Sequence, residues 1–567
     1  MLSILKEVVS LIPESPYPSL TPELIVYYSS LFRLFNSLIQ FDFSGSRNDN
    51  TTDEVEMIVV PQSWAPFVTR FSTLDFLFYL YSSPHEGLAS IAAESILYLM
   101  SMRRSIFASS AEATNFFEKV LHGLLAILNQ KTHLDNSTCQ SLLCQTLSKL
   151  KMNLQFSELI KFPEFSAFFH TVSLLAQSIM KQQGYFGDFP YVLYFWARIV
   201  EALRFTNAPI ESYLPKEQLD GDIMSVVHSF IYTFVDHVED WMSDTLDSPI
   251  YNMDKLLKYN DRLGIILGYN HSTVTEWILK LAANNWPSRD SQSACSSLYD
   301  ELSIAIIAWC VMLISICLKR LQFTETQISN NVHFDAARLC SFAFEVSRAL
   351  NEQSPSVLYE ACFVFMNVFQ NLLSIVLSLM YRVTDYKLAA IIYSPSDIAS
   401  NNSSRRVEAF RVFFSNILDG DISAILNYFV LFILFSFTLP TLPQSCLEQA
   451  ILLFTSIAHN ANARSILIDL SSIKMLVRNH KDAQLTAFLP PLYTRYRTQF
   501  YSALTEIMFE KAIPGDLEQF IQPFITQLQA VEQQNSTSLV LILRDITGVF
   551  RSCIKPNHFL CCYDVLL

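Results

Sequence analysis

The sequence is poor in glycine and in basic residues. Glycine occurs 11 times in 567 residues, which leaves few of the tight turns with which nucleotide-binding enzymes hold phosphates. The 39 lysines and arginines are outnumbered by 53 aspartates and glutamates, and the formal net charge is −14. Because binding to nucleic-acid phosphates needs clustered cations, this balance argues against a nucleic-acid ligand and favours protein partners, including basic ones.

Sequence motifs of the common enzyme classes are absent. The chain has no Walker loop, no dinucleotide-binding glycine fingerprint, no nucleophile elbow and no paired-histidine zinc helix. Catalytic residues that lie far apart in the sequence would escape this search, so an enzyme stays a remote alternative. We expect no catalytic residue, no cofactor and no enzymatic activity.

One acidic segment, VVHSFIYTFVDHVEDW, could suggest a metal site. It contains His228, Asp236, His237, Glu239 and Asp240. His237 and Asp240 are spaced to share a helix face, but nothing in the segment matches the ligand spacing of zinc sites. We therefore interpret it as a solvated acidic surface and expect no metal.

The eleven cysteines are scattered, mostly within apolar runs, and none forms a CxxC pair. This pattern is typical of reduced core residues. The start of the sequence, Met1 to Lys6, lacks the basic region and cleavage site of a signal peptide. Both features favour a cytoplasmic or nuclear protein.

Apolar residues, at 51%, are abundant and follow a helical period. Ser83-Pro84-His85-Glu86 predicts a helix start with Ser83 as the N-cap, and Ser109 with Glu112 has the spacing of a capping box. Asp135 opens a third segment. These starts recur about every 26 residues, so a helix pair occupies on the order of 50 residues, near the period of HEAT repeats.

Polar breaks divide the rest of the chain into further helices. They predict inter-helix turns at Asp244 to Asp247, Pro287 to Ser297, Glu352 to Ser356, Ser394 to Arg406, Pro440 to Ser445 and Pro490-Pro491. We expect an all-α fold, an α-solenoid superhelix of HEAT/ARM-like antiparallel helix pairs, continuous over 1–567 with about twelve pairs. Such an array favours binding over catalysis.

A membrane protein is a competing interpretation. Ile422 to Leu439 has eighteen residues without a charge, and Ser303 to Leu318 is similar but shorter. Eighteen is close to the minimum for a membrane span. Helices buried on several sides in a stacked array are also apolar all round, and we favour that interpretation and expect no membrane insertion.

The stretch 41–64, FDFSGSRNDNTTDEVEMIVVPQSW, interrupts the helical pattern. Ser44-Gly45-Ser46 breaks the helix, 48–56 is polar and acidic, and 57–61 favours extended structure. We expect an excursion that leaves the array and returns at Trp64, with its apolar return pinned there. Most loops are only connections, but the acidity of this one also fits electrostatic binding to a basic partner.

Two other features could suggest binding sites. Arg103-Arg104, Arg405-Arg406 and Arg495 with Arg497 could hold a phosphate or an acidic cargo segment, although we favour charge placement at helix ends for Arg103-Arg104. The aromatic run from Tyr185 to Trp196 could line a groove. Tyr191, Tyr194, Phe195 and Arg198 follow helical spacing, which favours core packing instead.

The excursion and several later segments resemble the exportin-7 and Ran-binding protein 16 and 17 family, part of the importin-β superfamily. The matching pieces occur in the same order as in that family: FDFSGSRNDNTTDEVEMIVVPQSW with STLDFLFYLY (72–81), MRRSIF (102–107), LSKLKMNLQFSELIKFPEF (147–165), YVLYFWARIVEAL (191–203), VRNHKDAQLTAF (477–488), RYRTQFYSALTEIMF (495–509) and LILRDITGVF (541–550). The middle, 208–470, resembles it only diffusely.

The resemblance implies a nuclear export receptor that carries protein cargo out of the nucleus with RanGTP, shuttling through the nuclear pore past its nucleoporins. It also implies that the amino-terminal Ran-binding arch and the carboxy-terminal repeats of the family lie outside this sequence, as in a fragment or a shortened form. A Ran-independent helical scaffold and a multi-span membrane protein remain as alternatives. The sequence assigns no residue to Ran or cargo.

Overall fold

The fold was analysed in a computed structural model of the chain. It describes residues 1–41, 43, 57–205, 216–243, 248–286, 301–322, 324, 327–328, 330–384, 401–417, 421–439, 442–480, 494–511, 516–531 and 536–553.

These residues form two compact units, Met1–Tyr269 and Asn270–Leu567. The helices of the first unit are α1 (Leu2–Ser10), α2 (Pro22–Ile39), α3 (Ala65–Val68), α4 (Phe71–Tyr81), α5 (Glu86–Ser101), α6 (Ser110–Gln130), α7 (Ser137–Asn153), α8 (Phe156–Leu159), α9 (Phe165–Gln183), α10 (Phe189–Phe205), α11 (Lys216–Asp236), α12 (Val238–Ser243), α13 (Met253–Leu257) and α14 (Asn260–Leu267).

The helices of the second unit are α15 (His271–Asn285), α16 (Glu301–Lys319), α17 (Val332–Ala349), α18 (Ser356–Thr384), α19 (Asn401–Ser415), α20 (Ile422–Phe437), α21 (Gln444–His459), α22 (Ala461–Leu467), α23 (Ser471–Asn479), α24 (Thr494–Met508), α25 (Asp516–Val531) and α26 (Ser536–Cys553). The predicted all-α class, an array of HEAT-like helix pairs, is confirmed. The continuity of one array over 1–567 stays a prediction.

The long helices of the first unit pack in two rows. One row is α2, α5, α7, α10 and α14, and the other is α4, α6, α9 and α11. From α4 to α11 these long helices alternate between the two rows along the chain, which is the arrangement of stacked helix pairs. Each helix thus buries residues against a neighbour one pair further along the sequence.

Several hydrogen bonds from a side chain to a backbone carbonyl join residues that are separated in the sequence by about one helix pair. The Tyr81 hydroxyl donates to the Thr132 carbonyl, 51 positions away, at 3.0 Å. The Asn153 amide donates to the Met102 carbonyl, also 51 positions away, at 3.1 Å. In the second unit the Ser552 hydroxyl donates to the Ser502 carbonyl at a separation of 50 residues. The repeat length expected from the helix starts is therefore also the spacing of these contacts.

Helices begin near all three predicted starts, but only one of them has the predicted N-cap residue. Ser109 is the N-cap of α6, and its hydroxyl accepts from the Glu112 N–H at 3.1 Å. Asn136, not Asp135, caps α7. The prediction for Ser83 is wrong, because α5 begins at Glu86 with His85 at the N-cap and no side-chain cap.

The predicted turns have mixed outcomes. The turn predicted at 352–356 precedes α18 except for Ser356, which begins that helix. Of 440–445, residues 440 and 441 lie outside the described residues, and Gln444 and Ser445 already belong to α21. The predicted turn at 394–406 is wrong in its second part, because α19 already begins at Asn401. The turns at 244–247, 287–297 and 490–491 lie outside the described residues.

Two of the described helices are long and apolar enough, by length and composition, to cross a membrane. They are Glu301–Lys319 and the part of α18 from Ser356 to Ile375, of which 78% and 72% are buried inside the protein. The other expected candidate, Ile422–Phe437, is shorter and packs against α21 and α22. Their burial shows that neighbouring helices already cover these apolar surfaces.

The described cysteines are unpaired and buried, as the sequence predicts. Seven side chains fall in this group: Cys139, Cys144, Cys310, Cys317, Cys340, Cys362 and Cys446. Burial raises the pKa of Cys317 and of Cys446 to about 12. Because the thiolate is the reactive form of cysteine, these groups are packing residues and not nucleophiles.

Candidate partner-binding site

The two ends of the excursion are held by aromatic contacts. The rings of Phe43 and Trp64 meet edge to face, with their centres 4.9 Å apart. Phe41 in turn contacts Phe43 at 5.0 Å. Trp64 is 3% exposed, so the predicted pinning of the return at this tryptophan is confirmed. The acidic stretch 44–56 itself lies outside the described residues.

The returning strand also pairs with the backbone just after α5. The Ile58 N–H donates to the Ser101 carbonyl at 2.7 Å, and the Arg103 N–H donates to the Ile58 carbonyl at 3.1 Å. Ile58 thereby forms a parallel bridge with Met102. Two backbone hydrogen bonds fix the position and direction of the chain where the excursion rejoins the array.

The next helix pair supports this backbone through Asn153. Its buried side-chain amide donates to the Met100 carbonyl at 2.6 Å and to the Met102 carbonyl at 3.1 Å. An amide group with two donors suits two carbonyls at the end of a helix, which would otherwise lack partners. The end of α7 thus holds the end of α5.

Arg104 completes the contact between the two helix pairs. Its guanidinium donates to both carboxylate oxygens of Glu158, each at 2.6 Å, and to the Asn153 carbonyl at 3.1 Å. The hydrogen bond with Arg104 lowers the pKa of Glu158 and raises the pKa of Arg104. Such a two-pronged pair fixes orientation as well as distance. We call Ile58, Met102, Asn153, Arg104 and Glu158 the excursion anchor.

The excursion anchor can position a segment but offers no reaction chemistry. Its titratable groups, Arg104 and Glu158, are bound to each other and remain charged at neutral pH. Trp64 and the hydrogen bond from the Gln62 amide to the Ile106 carbonyl, at 3.0 Å, add further fixed contacts. The arrangement therefore favours the presentation of a segment to a partner.

The acidic segment considered as a metal site has a surface character. Asp236, His237, Glu239 and Asp240 are exposed, and His237 Nδ1 lies 3.5 Å from an Asp240 carboxylate oxygen. His228 stacks on the Tyr232 ring at 4.3 Å, and burial lowers its pKa. No group of three or more potential metal ligands occurs within the part of the chain that the structure describes.

The arginine pairs have different environments. Arg104 forms an ion pair with Glu158. Helix α5 ends earlier, at Ser101, so Arg104 does not serve mainly to neutralise the negative end of that helix dipole. Arg497 donates to both oxygens of Asp545 inside the second unit. Arg405 is exposed. The side chains of Arg406 and Arg495 lie outside the described residues.

The aromatic run packs in the core only in part. Of the four residues whose spacing favoured core packing, Tyr194 and Phe195 are buried, whereas Tyr191 is half-buried and Arg198 is 52% exposed. Tyr185, Phe189, Phe195 and Trp196 are at most 1% exposed. The Tyr185 hydroxyl donates to the Phe230 carbonyl at 3.0 Å. These four rings are therefore part of the core and do not line a groove.

The rows of stacked helices and the contacts between them define a helical-repeat protein. Similarity to known proteins is consistent with that class. The chain is 27% identical over 246 residues to Ran-binding protein 16 of Drosophila melanogaster, a match that covers 42% of this chain and 21% of the relative. Exportin-7-B of Xenopus laevis is 24% identical over 244 residues, covering 42% of the chain and 21% of the relative.

A longer match exists with exportin-7 of Dictyostelium discoideum, which is 19% identical over 546 residues, or 93% of this chain and 51% of the relative. No protein-family model matches the chain. These similarities confirm the resemblance of the chain to the exportin-7 and Ran-binding protein 16 and 17 family. The matches span at most about half the length of these relatives.

The excursion anchor was only partly foreseeable from the sequence. Trp64 was expected to pin the return, but the roles of Asn153 and Glu158 were not recognised. The available signal was their distance of about one repeat from Met102 and Arg104, since residues at that offset face each other across stacked helix pairs.

Proposed function

We propose that the chain acts as a karyopherin-like nuclear transport receptor that exports protein cargo together with RanGTP and shuttles between nucleus and cytoplasm through the pore. The mechanism is coupled binding, in which RanGTP and cargo each favour the conformation that the other stabilises. Contacts with nucleoporins during passage are part of the proposal. GTP hydrolysis takes place on Ran, so the chain needs no catalytic residue of its own.

The proposal rests mainly on the similarity to exportin-7 over 93% of the chain. The stacked helices give it physical support, because such arrays offer long surfaces for protein partners. The names of the relatives include Ran binding, which points to Ran as one partner. Since the relatives are longer, the transport activity of the whole receptor remains a proposal for this chain.

Capture from nuclear extract tests the coupling. The immobilised chain is incubated with extract and an excess of Ran, loaded either with a non-hydrolysable GTP analogue or with GDP. Export binding predicts a set of proteins retained only with the GTP form. An identical set with either form, or without Ran, would contradict it and favour the Ran-independent scaffold.

The acidic excursion is proposed to bind a basic surface of Ran or cargo. Deletion of 47–56 is expected to weaken Ran-GTP binding and to reduce its dependence on salt, because screened charges contribute less. A control of equal length replaces Asp49, Asp53, Glu54 and Glu56 by their amides. If the deletion weakens binding but the amide variant does not, length and not charge matters, and the electrostatic idea fails.

A further inference from the structure

Two arginines, from two helices of one row in the first unit, face the Tyr194 ring, and a lysine from a third helix of that row lies near one of them. Lys151 lies in the last turn of α7, Arg198 lies one turn after Tyr194 in α10, and Arg262 lies in α14. The guanidinium carbons of Arg198 and Arg262 stand 5.8 Å and 4.9 Å from the centre of the Tyr194 ring. Helix α10 packs against both α7 and α14. We call Lys151, Arg198 and Arg262 the cation cluster.

The positive charges in this cluster oppose one another. The half-buried Lys151 ammonium donates to the Leu154 carbonyl at 3.2 Å. Burial and the charge of nearby Arg198 lower the pKa of Lys151 to about 8. Like charges held together in a partly desolvated site cost free energy, and a bound anion offsets that cost.

Among the described residues, carboxylates approach two members of this cluster, Lys151 and Arg198. Glu201 lies 3.3 Å from an Arg198 guanidinium nitrogen, in a pair open to water. The charge of Glu158 raises the pKa of Lys151, although burial and Arg198 lower it more. Both carboxylate oxygens of Glu158 accept hydrogen bonds from Arg104. Arg198 is 52% exposed, so an external carboxylate can reach it.

We propose that the cation cluster is a docking surface for an extended acidic segment of a partner protein. The charge is complementary, and Tyr194 provides a rigid base that holds two guanidinium groups in place. In an extended chain every second side chain lies on the same face. A segment with acidic residues at alternate positions therefore presents its carboxylates on one side, toward the cluster.

A protein segment fits this surface better than nucleic acid does. The chain carries a net charge of −14, which repels a long polyanion outside the cluster. A short acidic segment contacts the cations without approaching the negative charges elsewhere on the chain. This inference goes beyond the proposed export function and does not depend on Ran.

The direct test uses a fluorescent peptide and the intact chain. The peptide has about twelve residues with glutamate at every second position, and its control has glutamine at the same positions. Fluorescence anisotropy is expected to show binding of the glutamate peptide and not of the glutamine peptide. Equal binding of both peptides would overturn the proposal, since charge would then play no part.

Substitutions locate the binding site. R198Q and K151Q are each expected to weaken the affinity by about tenfold, whereas E201Q removes a competing carboxylate and is expected to strengthen it. K119Q makes the same charge change on α6, in the other row, and is the matched control. Equal losses for K119Q and R198Q would show nonspecific attraction and overturn the proposal. Circular dichroism verifies that each variant is folded.

The titration of Lys151 gives an independent readout. Burial and the charge of Arg198 lower the pKa of Lys151, and the charge of Glu158 raises it. Because Lys151 loses its proton above about pH 8 in the free protein, affinity for the acidic peptide is expected to fall as the pH rises from 7 to about 9.5. K151R stays charged throughout and is expected to lose that dependence. An unchanged pH profile in K151R would contradict the assignment, even if the glutamine variants fail to fold.

Two further outcomes identify a different occupant. If inorganic phosphate displaces the peptide at a comparable concentration of charge, the cluster is a simple anion site and not a peptide surface. If the peptide binds only after deletion of 47–56, the acidic stretch of the chain itself fills the cluster. Either result would overturn docking of an external protein segment.

Discussion

Two arginine–carboxylate pairs, one in each unit, join neighbouring helix pairs in different surroundings. Arg104 and Glu158, in the first unit, keep 27% and 19% of their side chains exposed. Arg497 and Asp545, in the second, are 7% and 0% exposed. The bonding is two-pronged in both, so the difference lies in access to water. Water can solvate a broken Arg104 pair, whereas a broken Arg497 pair leaves a charge in a dry interface.

The comparison also shows what the family-like segments do in this chain. Arg104 lies in 102–107, Glu158 in 147–165, Arg497 in 495–509 and Asp545 in 541–550. Each pair joins two of these segments. The residues that carry the resemblance therefore include contacts between repeats. Two members of the cation cluster, Lys151 and Arg198, also lie in such segments, 147–165 and 191–203.

Loss of the Asp545 carboxylate is expected to have the largest effect. D545A leaves the Arg497 charge buried without its partner and is expected to lower the free energy of unfolding of the second unit by about 3–5 kcal/mol. Urea denaturation followed by circular dichroism measures the change. The double variant R497M/D545L removes both charges and is expected to recover most of the loss. A cost below about 1 kcal/mol for D545A would show that the pair is solvated.

The close packing beside that pair predicts the next effect. A side-chain carbon added at Gly548 would lie 2.5 Å from the Thr498 carbonyl oxygen, so G548A must push α24 and α26 apart. We expect a loss of about 1–3 kcal/mol in the same denaturation experiment. G221A is the matched control, because no atom lies within 4 Å of its added carbon. Equal effects of the two variants would refute the close approach.

The solvated pair is expected to be weaker and sensitive to acid. E158Q is expected to cost about 1 kcal/mol at pH 7. The bond with Arg104 lowers the pKa of Glu158 from 4.5, so its stabilisation is complete above that value and is lost as the pH falls through the lowered pKa. Wild type and E158Q should thus differ at pH 7 and converge as the pH falls below the lowered pKa of Glu158. A constant difference across this range would exclude the ion pair as its source.

The smallest effect is expected at a fully solvated pair. Lys511 and Asp469 are 53% and 59% exposed. K511A is expected to leave the stability of the second unit unchanged within error, because exposed ion pairs contribute little. A loss comparable to that of E158Q would show that burial does not decide the contribution of these pairs.

The periodicity of apolar residues and the capping residues predicted the fold. They did not predict the contacts between side chains of neighbouring repeats. The leucines and phenylalanines at helical spacing are buried, and Ser109 caps α6. Ser83 was assigned wrongly, because a serine three residues before a helix looks the same in sequence whether or not its hydroxyl reaches the backbone. The Arg497–Asp545 pair was missed, since it joins residues 48 positions apart.

The cation cluster could not be predicted for a related reason. Lys151, Arg198 and Arg262 lie far from one another in the sequence, and no basic run marks them. They meet because α7, α10 and α14 pack in series, which is known only once the rows are known. A search for like charges at offsets of one helix pair would have found part of the cluster.

The affinity of the intact chain for Ran, in its two nucleotide states, tests the central claim most directly. Surface-immobilised chain is titrated with Ran loaded with a non-hydrolysable GTP analogue and with Ran-GDP. An export receptor predicts a preference for the GTP form of about 5- to 150-fold, which corresponds to a coupling free energy of about 1–3 kcal/mol. Equal affinity for the two forms would contradict the export function and leave a helical scaffold without a Ran cycle.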